Sequence, residues 1–300
     1  MTELKSLKDL VRIAAGKGCC KLVVAVAQDE DVLKAVKAAA EAKLIVPILV
    51  GNRGEIESAA VLAGYDLTGV ELVHEADKQQ ACVNAVELVR SGMAQILMKG
   101  FVSTSLLLKA ILNKETGLMR GNLLSHVAFF ESPHYHKIFC VTDAALNISP
   151  DIDEKADMIR NAVGVYHALG ILRPRVAILA AVETVNPKME ATVHAALLAA
   201  MQKRKQITGC LIDGPLALDN AISADAATHK GITSDVAGNA DILLTPDLNS
   251  GNILYKSLNF LGGSVTAAMV VGASVPVVLT SRADSDTSKF LSIALAAATK

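Results

Sequence analysis

The sequence is poor in aromatic residues and contains no tryptophan. Phe, Trp and Tyr together account for 3% of the 300 residues, although hydrophobic residues account for 52%. The apolar content therefore consists mainly of Ala, Val, Leu and Ile, which are typical of helices packed on buried strands. A chain of 300 residues is long enough for two domains, each with its own hydrophobic core.

The chain also lacks an excess of charge and any long apolar run. Its formal net charge is −1, so no general basic field exists to hold nucleic acid or an anionic membrane surface. No uninterrupted run of 18 or more apolar residues occurs, and the first residues contain no signal-peptide core. We therefore expect a cytoplasmic protein without nucleic-acid or membrane partners, in which local features hold any anionic ligand.

Motifs that mark bound metals and nucleotide cofactors are missing as well. The chain has no CxxC or HExxH motif, no GxGxxG after its first predicted strand and no GxSxG elbow. Its five cysteines lie mostly inside apolar runs, which favours reduced thiols in the core over disulfides, catalysis or metal binding. We therefore expect no metal site and no bound cofactor.

What the chain does contain is an alternation of short aliphatic runs with segments of helical spacing. The runs are 22–27, 47–50, 70–73, 96–98, 127–130, 138–141, 176–180, 209–212, 242–244 and 276–279. Segments with helical spacing include 31–43, 77–91, 103–113, 153–169, 189–203 and 284–298. This alternation predicts an α/β fold in layers, with largely parallel sheets. In such sheets ligands collect where strands end and helices begin, because helix N-termini present free amides.

One such junction follows the run 276–279, where the chain continues into Ser281 and Arg282 and then into a Ser-, Thr- and Asp-rich helix start. The guanidinium of Arg282 matches the oxygens of a phosphate or carboxylate, and Ser281 can donate to the same anion or to a developing oxyanion. The alternative is a structural role, in which Asp284 or Asp286 caps the helix and pairs with Arg282.

Two further junctions have weaker signals. At the first, Lys99 ends a strand and Gly100 permits a tight turn, while Ser105 and Lys109 lie four apart and share a helix face. The two lysines can bracket a phosphate, or they can be solvated beside capping hydroxyls. At the second, Asn252 and its neighbours stand before a predicted helix, where they either cap that helix or face a ligand.

At these junctions the sequence resembles the phosphate acetyltransferase/butyryltransferase family. The stretch 245–256, followed by Leu-Gly-Gly at 261–263, is similar to the family's proline–acidic/Asn–Gly–Asn–Tyr-Lys signature. The strand and loop at 211–221 and the pair Ser281-Arg282 are similar to further family motifs, and the likeness covers nearly the whole chain. The segments 97–100, 121–127 and 280–284 look like the butyryl rather than the acetyl branch.

The resemblance implies a two-domain fold like that of the isocitrate/isopropylmalate dehydrogenases, with the active site in the interdomain cleft. One domain would comprise residues 1–124 and 271–300, and the other residues 125–270. The resemblance also implies homo-oligomers. The implied activity is reversible transfer of a short-chain acyl group, butanoyl, from acyl-CoA to inorganic phosphate. Acyl phosphate and coenzyme A are the products, and coenzyme A is a substrate rather than a bound cofactor.

Carried over residue by residue, Ser281 and Arg282 match the family's catalytic pair. Lys109 falls where the acetyl branch has a phosphate-binding arginine. A lysine at this position has the same positive charge but lacks the planar, forked set of donors of a guanidinium. Ser288 falls where the acetyl branch carries an aspartate considered a base for the CoA thiol. That departure leaves the base open. Asp284 or Asp286 could supply a carboxylate from the preceding turn, at a different angle, and Asp284 is our choice. The substrate-binding residues implied are Lys99, Ser105, Lys109, Asn252 and Ser288.

Three other functions compete with this interpretation. The first is an acetyl-specific enzyme of the same family, because acyl-chain choice depends on a pocket volume that a sequence does not reveal. The second is a hydroxy-acid dehydrogenase on the same fold, with a nicotinamide cofactor and a divalent metal, which would need a spaced set of aspartates. The third is a non-catalytic acyl-CoA-binding protein, which the pair Ser281-Arg282 argues against.

Overall fold

The computed structural model describes residues 4–280 and 284–300. Contacts between Cα atoms divide them into two compact units, each described by itself below. The terminal unit comprises Lys8–Leu124 and the described residues from Ala267 onwards, and the central unit comprises residues 4–7 and Ser125–Thr266. The domain limits implied by the resemblance stay a proposal.

The elements alternate between strand and helix along most of the chain. The strands are β1 Cys20–Ala25, β2 Ile45–Gly51, β3 Glu71–His74, β4 Ile96–Lys99, β5 Ser125–Glu131, β6 Phe139–Thr142, β7 Arg175–Leu179, β8 Leu211–Leu216, β9 Ile242–Leu244, β10 Val265–Val271 and β11 Val277–Val278. The helices are α1 Asp9–Lys17, α2 Glu30–Glu41, α3 Arg53–Leu62, α4 Lys78–Arg90, α5 Thr104–Ile111, α6 Ile152–Ala168, α7 Glu190–Lys203, α8 Leu218–Ile222, α9 Ala224–His229, α10 Leu248–Phe260 and α11 Asp286–Thr299.

The terminal unit contains a mostly parallel sheet with the strand order β3-β2-β1-β4-β11-β10. Strands β1 to β4 and β11 run parallel to one another, and β10 is antiparallel to β11. The register pairs Ala25 with Lys99 and Met98 with Val278, so β1, β4 and β11 end side by side. This confirms the predicted α/β class with largely parallel strands.

Helix α2 shows how the sequence builds one layer of this unit. Asp29 caps it by accepting a hydrogen bond from the backbone N–H of Val32 at 3.0 Å. The apolar residues Val32, Leu33 and Val36, spaced by one, three and four positions, are buried. The helix contacts α11, whose inner face is rich in buried alanines. Small side chains let the two helices approach each other closely.

The central unit contains a second sheet segment with the strand order β5-β6-β9-β7-β8. Strands β6, β9, β7 and β8 are parallel, and β5 is antiparallel to β6. The scarce aromatic residues help to build this core. Phe129 stacks on Tyr166 with ring centroids 5.0 Å apart, and the Tyr166 hydroxyl donates to the carbonyl of Asp241 at 2.6 Å.

The structure also contains elements that the sequence pattern did not predict. Strand β10 and helices α1 and α3 are absent from the predicted runs. Two consecutive alanines make β10 less recognisable as a run of large aliphatic residues. In α3 the apolar residues Val61 and Leu62 are exposed, so they do not follow the pattern of a buried helix face. In the part of the chain that the structure describes, no helix is long and apolar enough to cross a membrane.

Candidate functional site

The carboxyl ends of β1, β4 and β11 form one edge of the sheet in the terminal unit, where parallel α/β sheets bind ligands. At this edge the backbone N–H of Gly100 donates to the carbonyl of Ala25 at 2.9 Å, and that of Phe101 donates to Val26 at 2.6 Å. A Cβ atom on residue 100 would overlap the Val26 carbonyl oxygen. Glycine is therefore required for the turn that follows Lys99.

The β4–α5 junction combines a cap, a clamped lysine and an exposed lysine. Ser103 Oγ accepts the N–H of Leu106 at 3.3 Å, so the predicted capping hydroxyl is present. The ammonium of Lys99 donates to the carbonyls of Gly100 and Val102, both at 3.2 Å. Lys99 is therefore half-buried and holds its own loop, rather than being solvated.

On the following helix, α5, the side chains of Ser105 and Lys109 are exposed. They lie one turn apart on the same face, as the spacing of four predicts. Ser105 Oγ lies 3.2 Å from Ser103 Oγ. The ammonium of Lys109 is thus available to a solvent-borne anion, whereas that of Lys99 is already engaged with main-chain carbonyls.

At the β11–α11 junction, Ser281 and Arg282 lie outside the described residues. Thr280, which precedes them, is buried. The N-cap of α11 is Ser285, whose Oγ accepts the N–H of Ser288 at 3.1 Å. The alternative interpretation, in which Asp284 or Asp286 caps this helix, is therefore wrong.

Lys289 is the residue at this edge that the sequence analysis missed. It is 3% exposed, and its ammonium donates to the carbonyl of Asp284 at 2.7 Å and lies 3.6 Å from a carboxylate oxygen of Asp31. Lysine is rarely buried without partners, so its place on the inner face of α11 was not predictable. It lines a cavity of about 30 Å³ together with Asp29, Asp31, Val32, Lys99, Gly100 and Thr280.

A larger cavity of about 700 Å³ lies beside the ends of β1 and β2. Its polar lining is acidic, and Leu62 and Phe101 provide apolar surface. The further lining residues are Gln28, Asp29, Glu30, Asp31, Asn52, Gly54, Glu55, Ser58 and Ala59. Phe101 lies under the ammonium of Lys78, 4.4 Å from the ring centroid. Nothing in the sequence pattern pointed to this cavity.

The β9–α10 junction belongs to the central unit, and its helix begins earlier than expected. Asp247 caps α10 by accepting the N–H of Ser250 at 2.8 Å, and Ser250 completes a capping box. Asn252 is therefore inside the helix and not before it. Its amide nitrogen donates to the carbonyl of Ala144 at 3.0 Å. Asn252 thus fixes the loop after β6, in addition to any role towards a ligand.

That loop is organised by the buried carboxylate of Asp143, which the sequence analysis did not single out. The residue is 1% exposed. Its oxygens accept the backbone N–H groups of His126 at 3.0 Å, Ala145 at 2.7 Å and Leu146 at 3.0 Å, and the amide of Asn147 at 2.6 Å. A carboxylate with this many donors stabilises the loop that Asn252 contacts.

A lysine–histidine pair joins the N-terminal halves of α6 and α7 in the central unit. The ammonium of Lys155, which is 4% exposed, lies 2.9 Å from Nδ1 of His194. Burial, and then the charge of Lys155, lower the pKa of His194, and burial lowers the pKa of Lys155. The histidine is therefore held in the neutral form, as an acceptor for the lysine.

The four buried cysteines offer no activated thiol. All five are free, and Cys19 is the exposed one. Burial raises the pKa of Cys82 and of Cys210 to about 11 and raises that of Cys140 further. Thiols with such pKa values are poor nucleophiles near neutral pH, in agreement with the predicted role as core residues. In the ranges 4–280 and 284–300, no group of three His, Cys, Asp or Glu residues could hold a metal ion.

Comparison with known proteins connects the chain to one family. The model of the family described as phosphate acetyl/butaryl transferase matches residues 6–84 and 74–297. The chain is 48% identical over 294 residues to the phosphate butyryltransferase of Clostridium acetobutylicum, covering 98% of each chain. It is 43% identical over 291 residues to the phosphate acetyltransferase of Thermotoga maritima, covering 97% of this chain and 98% of that one.

Solved structures agree with this result. A branched-chain phosphotransacylase from Enterococcus faecalis V583 is 36% identical and superimposes with a TM-score of 0.83, covering 93% of this chain and 98% of that one. A 4-hydroxythreonine-4-phosphate dehydrogenase from Burkholderia phymatum shares the fold alone, with a TM-score of 0.53 and 15% identity over 94% of this chain and 98% of that one. The predicted dehydrogenase-like fold is confirmed.

Proposed function

Because the chain belongs to the phosphate acetyl/butaryl transferase family, we propose that it acts as a phosphate butyryltransferase. It would transfer a butanoyl group reversibly between coenzyme A and inorganic phosphate. The observation that carries the proposal is the 48% identity, over 98% of both chains, with a protein of that name. Acetyl transfer is the second candidate, and the 43% identity with a phosphate acetyltransferase favours it.

In the proposed reaction an oxygen of phosphate attacks the thioester carbonyl, and the thiolate of coenzyme A leaves. A free thiol has a pKa of about 8.5, so the leaving group needs little protonation. Direct transfer within a ternary complex mainly requires positioning of the two substrates and stabilisation of the developing charge. Arg282 and Lys109 would hold phosphate, and Ser281 would donate to the tetrahedral oxyanion. The exposed ammonium of Lys109 on α5 supports this role.

The reverse direction needs a base to generate the CoA thiolate. Ser288 cannot supply one, and we assign this role to Asp284, which precedes the cap of α11. A covalent acyl-enzyme on the buried cysteines is disfavoured because burial raises the pKa of Cys82, Cys140 and Cys210, and the sequence shows no evident histidine partner for Ser281. Coenzyme A is thus a substrate, and the reaction would need no bound metal or cofactor. Homo-oligomers and a cytoplasmic location stay predictions from the sequence.

The deciding experiment measures thiol release from acetyl-, propionyl-, butanoyl- and longer acyl-CoA, with and without phosphate. We expect phosphate-dependent release with the highest kcat/KM for butanoyl-CoA. One methylene is worth about 1–3 kcal/mol in an apolar pocket, or about 10–200-fold in kcat/KM. A maximum at acetyl-CoA would favour the second candidate. Absence of release from every acyl-CoA, or loss of release after chelation, would contradict the proposal.

A further inference from the structure

We propose that Lys289 is a positioning residue for acyl transfer, which fixes the main chain at Asp284 and thereby the start of α11. The inference rests on the proposed function, because Asp284 follows the Ser281-Arg282 pair by two residues in the sequence. The bond from Lys289 to the Asp284 carbonyl, at 2.7 Å, is the shortest contact of the ammonium.

The burial of Lys289 is hard to explain as a contribution to stability alone. Removing an ammonium from water costs several kcal/mol, and an apolar residue of the same volume is often as stabilising. The ion-pair partner, Asp31, is 50% exposed and 3.6 Å away, so its attraction for the ammonium offsets little of that cost. The ammonium instead satisfies a main-chain carbonyl that lies next to the functional motif.

Lys99 performs a similar task at the neighbouring junction. Its ammonium donates to the carbonyls of Gly100 and Val102 after β4, as that of Lys289 does to Asp284 before α11. Both side chains line the same cavity of about 30 Å³, together with the carboxylates of Asp29 and Asp31. Two lysines thus hold two adjacent loops, at the edge where phosphate is proposed to bind.

The position of Lys289 within α11 suits this task. Its backbone N–H donates to the carbonyl of Ser285 at 3.0 Å, and one turn of helix brings its side chain back to residue 284. One residue therefore ties the cap of the helix, the main chain before the cap and the N-terminal end of α2. The ammonium supplies the contacts with the Asp284 carbonyl and with Asp31, and an apolar side chain of equal volume cannot hold a carbonyl.

The test compares Lys289→Met, which keeps the volume and removes the donor, with Lys34→Met. Lys34 also lies within 4.0 Å of Asp31 but outside this cavity, so it is a matched control. Hydrogen exchange of the Ser288 and Lys289 amides reports positioning without requiring activity. We expect exchange about 10–100-fold faster in Lys289→Met, the equivalent of one hydrogen bond to a charged group. Lys34→Met should match wild type.

In the thiol-release assay, Lys289→Met should lose about 10²-fold in kcat, the scale of a 1 Å misplacement, with an unchanged KM for butanoyl-CoA. Addition of an alkylammonium ion to Lys289→Ala should restore part of the lost rate. Unchanged exchange in a folded Lys289→Met, or faster exchange with wild-type kcat, overturns the inference. Wild-type protein without thiol release contradicts the proposed function instead, and exchange still decides whether Lys289 holds the main chain.

If Lys289→Met does not fold, Lys289→Leu provides the second test, because leucine also removes the donor and is a common buried side chain. We expect faster exchange at residues 288 and 289 and a lower kcat in Lys289→Leu. Asp31→Asn is the control, because it keeps the bond from Lys289 to the Asp284 carbonyl and should leave this exchange close to wild type. Wild-type exchange and kcat in a folded Lys289→Leu would overturn the inference.

Discussion

The carboxylate of Asp143 accepts a hydrogen bond from the backbone N–H of His126 at 3.0 Å, between residues 17 positions apart. This bond joins the end of β6 to the beginning of β5 in the central unit. The same carboxylate holds the loop whose Ala144 carbonyl is bound by Asn252. A substrate-binding role for Asn252 would therefore depend on the buried carboxylate that holds the loop it contacts.

Asp143→Ala should destabilise the protein by about 3 kcal/mol or more. Several buried N–H donors would lose their acceptor, and each unsatisfied donor costs about 1–3 kcal/mol. Urea unfolding followed by circular dichroism measures the effect. Asp153→Ala, at an exposed position in the first turn of α6, should change stability by less than about 1 kcal/mol. Equal stability of the two variants would contradict the role of Asp143.

Gly100→Ala should destabilise the protein and reduce acyl transfer, because the added methyl group would overlap the Val26 carbonyl oxygen. Overpacking of this kind costs about 1–3 kcal/mol. The matched control is Gly16→Ala in α1, where nothing lies within 4 Å of the new atom, and where alanine should stabilise by about 0.5–1 kcal/mol. Thermal unfolding of the two variants should therefore shift in opposite directions, and a stabilised Gly100→Ala would refute the expected overlap.

The two lysines of the β4–α5 junction should differ in what their loss affects. Lys109→Ala should lower kcat/KM for phosphate by about 10–100-fold, which corresponds to the loss of one charge-assisted hydrogen bond. Because Lys109 is exposed, its loss should not change Tm. Lys99 holds two main-chain carbonyls, so Lys99→Ala should lower both kcat and Tm. Lys114→Ala, at an exposed site beyond α5, is the control. Unaltered kinetics in Lys109→Ala would remove that residue from the phosphate site.

The sequence predicted the architecture well and the local geometry less well. Aliphatic runs such as 22–27 and 96–98 became β1 and β4, because uninterrupted apolar runs of strand length are typical of parallel strands buried on both faces. The cap of α11 was misplaced because serine and aspartate both cap helices, and only the backbone conformation decides which one does so. The hydrophobic periodicity of a helix does not show which of several neighbouring polar residues caps it.

The sequence predicted those parts of the candidate site that lie close together along the chain. It did not predict contacts between residues that are distant in the sequence. Lys99, Ser105 and Lys109 follow one strand, and the structure places them on that strand end and the next helix. Lys289 and Asp31 are 258 positions apart, and no local pattern relates them. Asp143 was missed for the same reason, since its partner His126 belongs to another strand.

If Asp284 is the base for coenzyme A, Asp284→Asn should slow the reaction of coenzyme A with acyl phosphate more at about pH 6 than at about pH 9. At high pH the thiol, with a reference pKa of about 8.5, ionises unaided. Equilibrium requires both directions to fall together at any one pH, so the pH profile is the diagnostic. A profile parallel to that of wild type would remove Asp284 from the mechanism. Asp286→Asn, in the first turn of α11, tests the alternative base in the same way.

The final prediction concerns the pH dependence of stability that His194 produces. Burial and the neighbouring Lys155 lower the pKa of His194 from 6.5 in the folded protein. The unfolded chain therefore binds the proton first as the pH falls below this value. Protonation then favours unfolding, and stability decreases until the folded form is protonated as well.

His194→Gln should flatten this dependence, because glutamine cannot be protonated while its carbonyl can still accept from the Lys155 ammonium. The free energy of unfolding in urea should fall less between about pH 7.5 and pH 5 in the variant than in wild type. His134→Gln is the control, since that residue is exposed and its bond to Ser132 uses the backbone N–H. The carboxylates of Glu190 and Asp151 oppose the shift and are present in every variant. An equal decrease in His194→Gln and wild type would show that other groups carry the acid sensitivity.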